Sequence, residues 1–196
     1  MIRLSIIVAA TTTNGIGKNG RLPWHIHEDM RYFAHVTQHA PEGYQNAVIM
    51  GRKTWESIPA KNRPLSKRFN VVISNDKSYD LNAAPGTAVV VNSLEEALQL
   101  KTDIPIHRGF VIGGASLYNK TLQPNPEVEV DRVLITRVTA PRFDCDTFMP
   151  EFKAEGQWKR ESHETLVEWV GFDVPAGVQK QQDGAEYEFQ MWTRQD

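Results

Sequence analysis

Six short β-branched or apolar runs, separated by segments of helical character, constrain this chain more than any other feature. They are Leu4 to Ala10, Ala47 to Met50, Val71 to Ser74, Ala88 to Val91, Phe110 to Ile112 and Val133 to Val138. Strands of this kind with helices between them predict a largely parallel α/β sheet. The best-defined helix start is Ser93-Leu94-Glu95-Glu96, a capping-box pattern after which Leu94, Ala97 and Leu98 recur at helical spacing. Toward the C-terminus the pattern changes. Tyr187, Phe189 and Met191 alternate with Glu186, Glu188 and Gln190, as in a half-buried strand, and Glu161 to Val170 reads as its antiparallel partner. A mixed sheet with an antiparallel edge follows, and Val174 to Gly184, with Pro175, Gly177 and Gly184, reads as an exposed loop.

With 196 residues, 40% hydrophobic and 23% charged, the chain is expected to form one domain, 1–196, with enough core to fold alone. No apolar stretch approaches the roughly 20 residues needed to cross a bilayer, and the N-terminus has no basic segment leading a long apolar one. A cytoplasmic protein is the expectation. Cys145 is the only cysteine, so internal disulfides are excluded and a buried, inert thiol is expected. His25, His27, His35 and His39 lack the spacing of a metal site and read as solvated helix residues, so no metal is expected.

Two strand ends point to phosphate. Ala47 to Met50 breaks at Gly51 and passes into Arg52-Lys53-Thr54-Trp55-Glu56-Ser57, and Phe110 to Ile112 breaks at Gly113-Gly114 before Ala115-Ser116-Leu117-Tyr118. A strand that ends in glycine and delivers a helix start exposes free N–H groups to an anion, although glycine also permits plain close packing of strand and helix. From Arg52 through Arg68 there are six basic side chains against one acid, Glu56, in a chain of net charge -2, which marks a local anion site. Gly15-Ile16-Gly17-Lys18-Asn19-Gly20 also matches the dinucleotide fingerprint in letters. Pro23 disfavours helix at Leu22, however, so the stretch reads as a flexible loop, either at the surface or closing over a ligand with Leu22 and Trp24.

One carboxylate stands out. On a helix following Trp24, the residues Ile26, Met30, Phe33 and Thr37 form a stripe with Asp29 inside its edge, while Glu28 points the other way. A carboxylate on an apolar face needs a partner, which is either a buried hydrogen bond within the protein or a ligand rich in N–H donors.

These residues fall into ordered blocks: Ile7-Val8-Ala9, Gly15 through Trp24, Arg31-Tyr32-Phe33, Val48 to Leu65, Ile112 through Tyr118, and Asp146-Thr147-Phe148-Met149-Pro150. In them the chain closely resembles the dihydrofolate reductase family, of the eukaryotic type. The resemblance implies a central eight-stranded, mostly parallel sheet with an antiparallel C-terminal edge and flanking helices. It implies hydride transfer from NADPH to C6 of dihydrofolate with protonation at N5, the tetrahydrofolate-forming step of one-carbon metabolism. By position, Asp29, backed by Thr136, would hold N3 and the 2-amino group of the pterin, with Leu22 and Trp24 in the loop over the site. Ile7, Val8, Ala9, Met30, Phe33, Ser57, Ile58 and Leu65 would line the folate pocket, and Arg68 would grip the α-carboxylate of the glutamate tail.

For the cofactor, the resemblance assigns Lys53, Thr54, Gly114, Ala115 and Ser116 to the pyrophosphate, with Gly113 and Leu117 also among the cofactor-binding residues. Ile112 and Tyr118 would border the nicotinamide and the folate, and Ala9, Ile16 and Gly20 would also contact the cofactor. Arg52, Ser74 and Asn75 would face the 2′-phosphate. The family often has basic residues where this chain has Asn75 and Asn92, which leaves Arg52 with more of that role, and Lys77 is a second candidate. The implied partners are dihydrofolate and antifolate small molecules acting on a monomer, with no nucleic acid and no membrane. A nucleotide- or RNA-binding module fits less well, because the pI is about 6.3 and no aromatic-rich basic sheet motif is present. A related reductase acting on another pterin or pyrimidine is the nearer alternative, against which the pair Asp29 and Arg68 speaks for folate.

Overall fold

The computed structural model describes residues 2–153 and 156–195. The chain begins with β1 (Ile2–Thr11) and a short β2 (Gly15–Gly17), then α1 (His27–Gln38) and β3 (Gln45–Gly51). After α2 (Arg52–Ser57) and a single 3-10 turn, Ala60–Asn62, come β4 (Arg68–Ile73), β5 (Ala88–Val91) and α3 (Leu94–Leu98). The second half runs β6 (Ile106–Gly113), α4 (Ala115–Leu122), β7 (Val128–Ala140) and β8 (Thr147–Phe148). It closes with β9 (Trp158–Arg160), α5 (His163–Val170), β10 (Gln179–Lys180) and β11 (Glu186–Arg194).

All six runs read from the sequence are strands of one sheet, in the order β10-β11-β7-β1-β6-β3-β4-β5, with β9 a short ninth strand on β11. From β7 to β5 every pairing is parallel, while β11 is antiparallel to β7, β9 and β10. Consecutive residues of the central strands enter different cores: Ile7, Val48, Phe110 and Leu134 join one cluster, and Ile6, Ile49, Val111 and Ile135 the other. That alternation is the period-2 geometry of a strand covered on both faces, with α1, α2 and α5 over one side and α3 and α4 over the other.

Two local readings are corrected. Glu161 to Val170 is not the partner strand of β11; its larger part is α5, which starts where Ser162 Oγ accepts from the Thr165 amide at 3.2 Å and stops at left-handed Gly171. Leu166 and Val170 bury one helical face, and the long β7 takes the pairing edge of β11. Nor is Val174 to Gly184 wholly an exposed loop, since Val174 is buried and Gln179–Lys180 pairs with β11. The helix at Ser93 is present though only five residues long, with Ser93 Oγ accepting from the Glu96 amide and Glu96 reaching back to the Asn92 amide. Gly15 to Gly17 is a short strand on β8, and no helix begins until His27, as Pro23 requires.

Candidate active site

Asp29 lies in the first turn of α1, is only 8% exposed, and accepts a 2.6 Å hydrogen bond from Thr136 Oγ1 on β7. Thr136 stands beside Ala9 of β1 and opposite Phe189 of β11, whose ring is 4.2 Å from that of Tyr32. One rung of the sheet thus receives both Asp29 and Tyr32, three residues apart on α1. Burial pushes the Asp29 carboxyl up from 3.8 to about 6, and the Thr136 bond only partly opposes it. Oδ2 has no protein donor among the described residues. Nor do two buried donors of the same apolar cluster, the Trp24 indole N–H and the Tyr32 hydroxyl, find an acceptor. A site floored this way suits a flat heterocycle that presents N–H donors to the carboxylate.

The apolar stripe of α1 is rotated from the one read in the sequence. Asp29, Tyr32, Val36 and Thr37 are its buried residues, while Met30 is 51% exposed, because Tyr32 rather than Met30 takes the place against Phe189. Phe33, Ile58, Leu65, Ile112 and the half-buried Ala9 pack at the margin of the cluster that holds Ile7, whereas Val8, one residue on from Ile7 in β1, packs against the core on the opposite face of the sheet. Leu65 is pinned by Asn70, whose side chain both accepts from its amide and donates to its carbonyl. Ser57 is exposed and donates to the Thr54 carbonyl, and Tyr118 is buried with its hydroxyl donating to Ile7 O at 3.2 Å.

The basic run does not form one patch. The register pairs Asn46 with Arg68 and Gly51 with Ile73, so Arg68 and Arg52 stand at opposite ends of neighbouring strands, roughly 17 Å apart at strand rise. Arg68 is buried, donates to Ser66 O and Thr37 Oγ1, and has no acidic partner among the described residues; burial lowers it to about 10. Such a guanidinium suits a carboxylate that reaches in from solvent.

At the other end, the register sets Met50 beside Gly113, so α2 and α4 start next to each other. Neither start has a side-chain cap or an acid in its first turn, whereas α3 and α5 have both. Helix starts left open in this way are suited to anions, and α2, being short, relies more on its N–H groups and on Thr54 and Lys53 than on a dipole. Gly113 has φ +126°, a conformation strained for any residue with a side chain, and Thr54 Oγ1 lies close by, within ordinary contact of where a Cβ on Gly113 or Gly114 would stand. The corner therefore fits a diphosphate. Ala115 and Ser116 front it, but the Leu117 side chain is buried in the core and only its backbone could contribute. Ser74 Oγ is buried and accepts from the Asp76 amide, Asn75 is exposed, and Asn92 is tied to Glu96.

The loop that holds Ile16, Gly20 and Leu22 is fastened by a segment to which the sequence assigned no role. Asp146 accepts from the Asn19 amide and donates its own amide to Gly17 O, both at 2.9 Å, and Lys18 pairs with Asp144 at 2.9 Å. Phe143 packs its ring edge-to-face against Trp24, which is buried, whereas Leu22 is 49% exposed. Cys145 sits under Gly15, where a Cβ would approach Sγ to 2.5 Å, and burial raises its thiol. The Asp146-Thr147-Phe148 block was the available signal, but the contact it makes spans more than a hundred residues.

Fold and site together define an α/β protein with two neighbouring uncapped strand-to-helix turns suited to an anion and, on α1, a buried carboxylate with a single hydroxyl partner. The family model described as Dihydrofolate reductase matches residues 3–172. The chain belongs to the dihydrofolate reductase family. It is 42% identical to the dihydrofolate reductase of Pneumocystis carinii, over 97% of this chain and 96% of that one. It is 39% identical to that of Cryptococcus neoformans, over 96% and 93%. Among solved structures, Schistosoma mansoni dihydrofolate reductase superposes with a TM-score of 0.78 at 34% identity, covering 98% of each chain.

Proposed function

We propose that this protein is an enzyme that reduces 7,8-dihydrofolate to tetrahydrofolate with NADPH. Asp29 carries the reading: it is a buried carboxylate with one hydroxyl partner and a free oxygen, as a pterin presenting N3–H and a 2-amino group requires. Arg68 supports folate over a bare pterin, because its unpaired buried guanidinium matches the carboxylate of a glutamate tail. The open starts of α2 and α4 would hold the pyrophosphate, with Lys53, Thr54, Gly114, Ala115 and Ser116, while Arg52 and Ser74 would meet the 2′-phosphate.

NADPH, when bound, supplies the hydride. Ile7, Ile112 and Tyr118 would set the facing distance of the two rings, and Trp24 and Leu22 would exclude water above them. Asp29 fixes the pterin's orientation and favours the form protonated at N5, while the ring is delivered with C6 toward the cofactor side. The same ion-pair chemistry makes protonated 2,4-diaminopyrimidines tight inhibitors. A cytoplasmic monomer goes with this reading. In the direct test, purified protein given dihydrofolate and NADPH consumes them one for one and forms tetrahydrofolate. Oxidation of NADPH that ignores dihydrofolate, or none at all, would sink the assignment.

A further inference from the structure

Arg52 does not stand alone. Its Nε lies 3.5 Å from Glu56 Oε1, one helical turn on, and Tyr79 donates its hydroxyl to the same oxygen at 3.0 Å. The guanidinium also stacks 5.4 Å above the Tyr79 ring, so Tyr79 holds both members of the pair. A second acid, Asp76, is near enough to feel the Arg52 charge. With Asn75 and Asn92 uncharged, the cation facing a 2′-phosphate here carries its own counter-ion. The two terminal nitrogens of Arg52 have no protein acceptor among the described residues, so an incoming phosphate would find the guanidinium reachable but partly neutralised.

Two effects of Glu56 oppose each other. Tethering Nε orders a long side chain in advance, yet exposed pairs of this kind contribute little, which corresponds to roughly twofold in affinity. The carboxylate also repels the phosphate. A unit charge within a Debye length of a phosphate near its dianionic form, in screened surface dielectric, weakens binding roughly three- to tenfold. Repulsion wins.

We infer that Glu56, anchored by Tyr79, is a specificity-determining residue that shares Arg52 with the cofactor's 2′-phosphate and so lowers the protein's preference for the phosphorylated dinucleotide. The inference rests on the NADPH reading above. It is tested by calorimetric titration of the ligand-free protein with 2′,5′-ADP, which carries the phosphate in question, and with 5′-AMP, which lacks it. Glu56→Gln keeps an acceptor for both partners and removes only the charge. It should tighten 2′,5′-ADP three- to tenfold, leave 5′-AMP within twofold, and lose most of the gain in high salt. In an Arg52→Ala background the same change should bring a clearly smaller gain. Unchanged or weaker binding of 2′,5′-ADP to Glu56→Gln would overturn the role, and an equal gain without Arg52 would overturn the sharing. If the wild type binds the two probes alike, no 2′-phosphate is read at this corner, and the NADPH assignment falls with the inference.

Discussion

Asp29 and Arg52 each sit in the first turn of a helix at the edge of the site, and the fold treats them in opposite ways. Asp29 is buried with a single hydroxyl partner; Arg52 is half exposed, paired with Glu56 and laid on Tyr79. Burial makes the first charge costly, unscreened and dependent on one ligand geometry. Exposure makes the second inexpensive to keep, open to salt and adjustable by its neighbours. On the proposed function, the first kind would serve to orient a ring and the second to discriminate between two versions of a cofactor.

The largest expected effect breaks the buried side. Asp29→Asn should lower kcat/KM for dihydrofolate by roughly 10²- to 10⁴-fold near pH 7, the range of a lost acid–base group, and should recover as pH falls and the substrate protonates in solution. Glu28→Gln is the control, because Glu28 is exposed and paired only with Arg31 at the surface. A pH profile of both variants decides the matter, and wild-type rates at pH 7 for Asp29→Asn would place the acid elsewhere.

Stability should also record the cost of burial. The folded carboxyl titrates at about 6, above its ordinary 3.8, so the folded state binds more protons between these values. Its contribution is fully present below pH 4 and is lost as pH rises through 6, a change of about 3 kcal/mol. In ligand-free protein, urea unfolding of wild type and Asp29→Asn should therefore show the mutant gaining about that much relative to wild type between pH 4 and pH 8. A difference independent of pH would mean that Asp29 is not desolvated.

The exposed side predicts smaller numbers. Arg52→Ala should weaken NADPH relative to NADH by roughly ten- to 150-fold, the range of one charge-assisted bond. If the ratio of the two efficiencies does not move, the phosphate is held elsewhere, and Lys77 is the next residue to change. The smallest effect sharpens the contrast: raising salt should narrow the wild-type preference for NADPH by a few-fold, because the Debye length shrinks from about 10 Å to about 3 Å between 0.1 and 1 M. Competition by a diaminopyrimidine at Asp29 should change much less over the same range.

What the sequence determined by itself is what depends on near neighbours. Periodicity named the six strands, glycine after an apolar run marked the open starts of α2 and α4, and Pro23 ruled out a helix at the first glycine cluster. Helical phase put Asp29 inward and Glu28 outward, both as found. Where local signals were balanced the reading went wrong: α5 has the β-branched content of a strand and the cap and spacing of a helix, and burial of Leu166 and Val170 settled it. Met30 was given the seat that Tyr32 takes because Phe189, far along the chain, supplies the contact.

Tertiary structure alone decided the rest. The basic run was one feature in sequence, yet the parallel register of β3 and β4 sends Arg52 and Arg68 to opposite ends of the sheet. The Thr136 bond to Asp29 crosses 107 positions, the Asp146 latch on Asn19 crosses 127, and Tyr79 reaches Glu56 over 23. Residue type and spacing specify which face a side chain takes within its own element. Which partner it meets there, and how far it is removed from water, depends on strand order and register, and those are set by burial summed over the whole sheet.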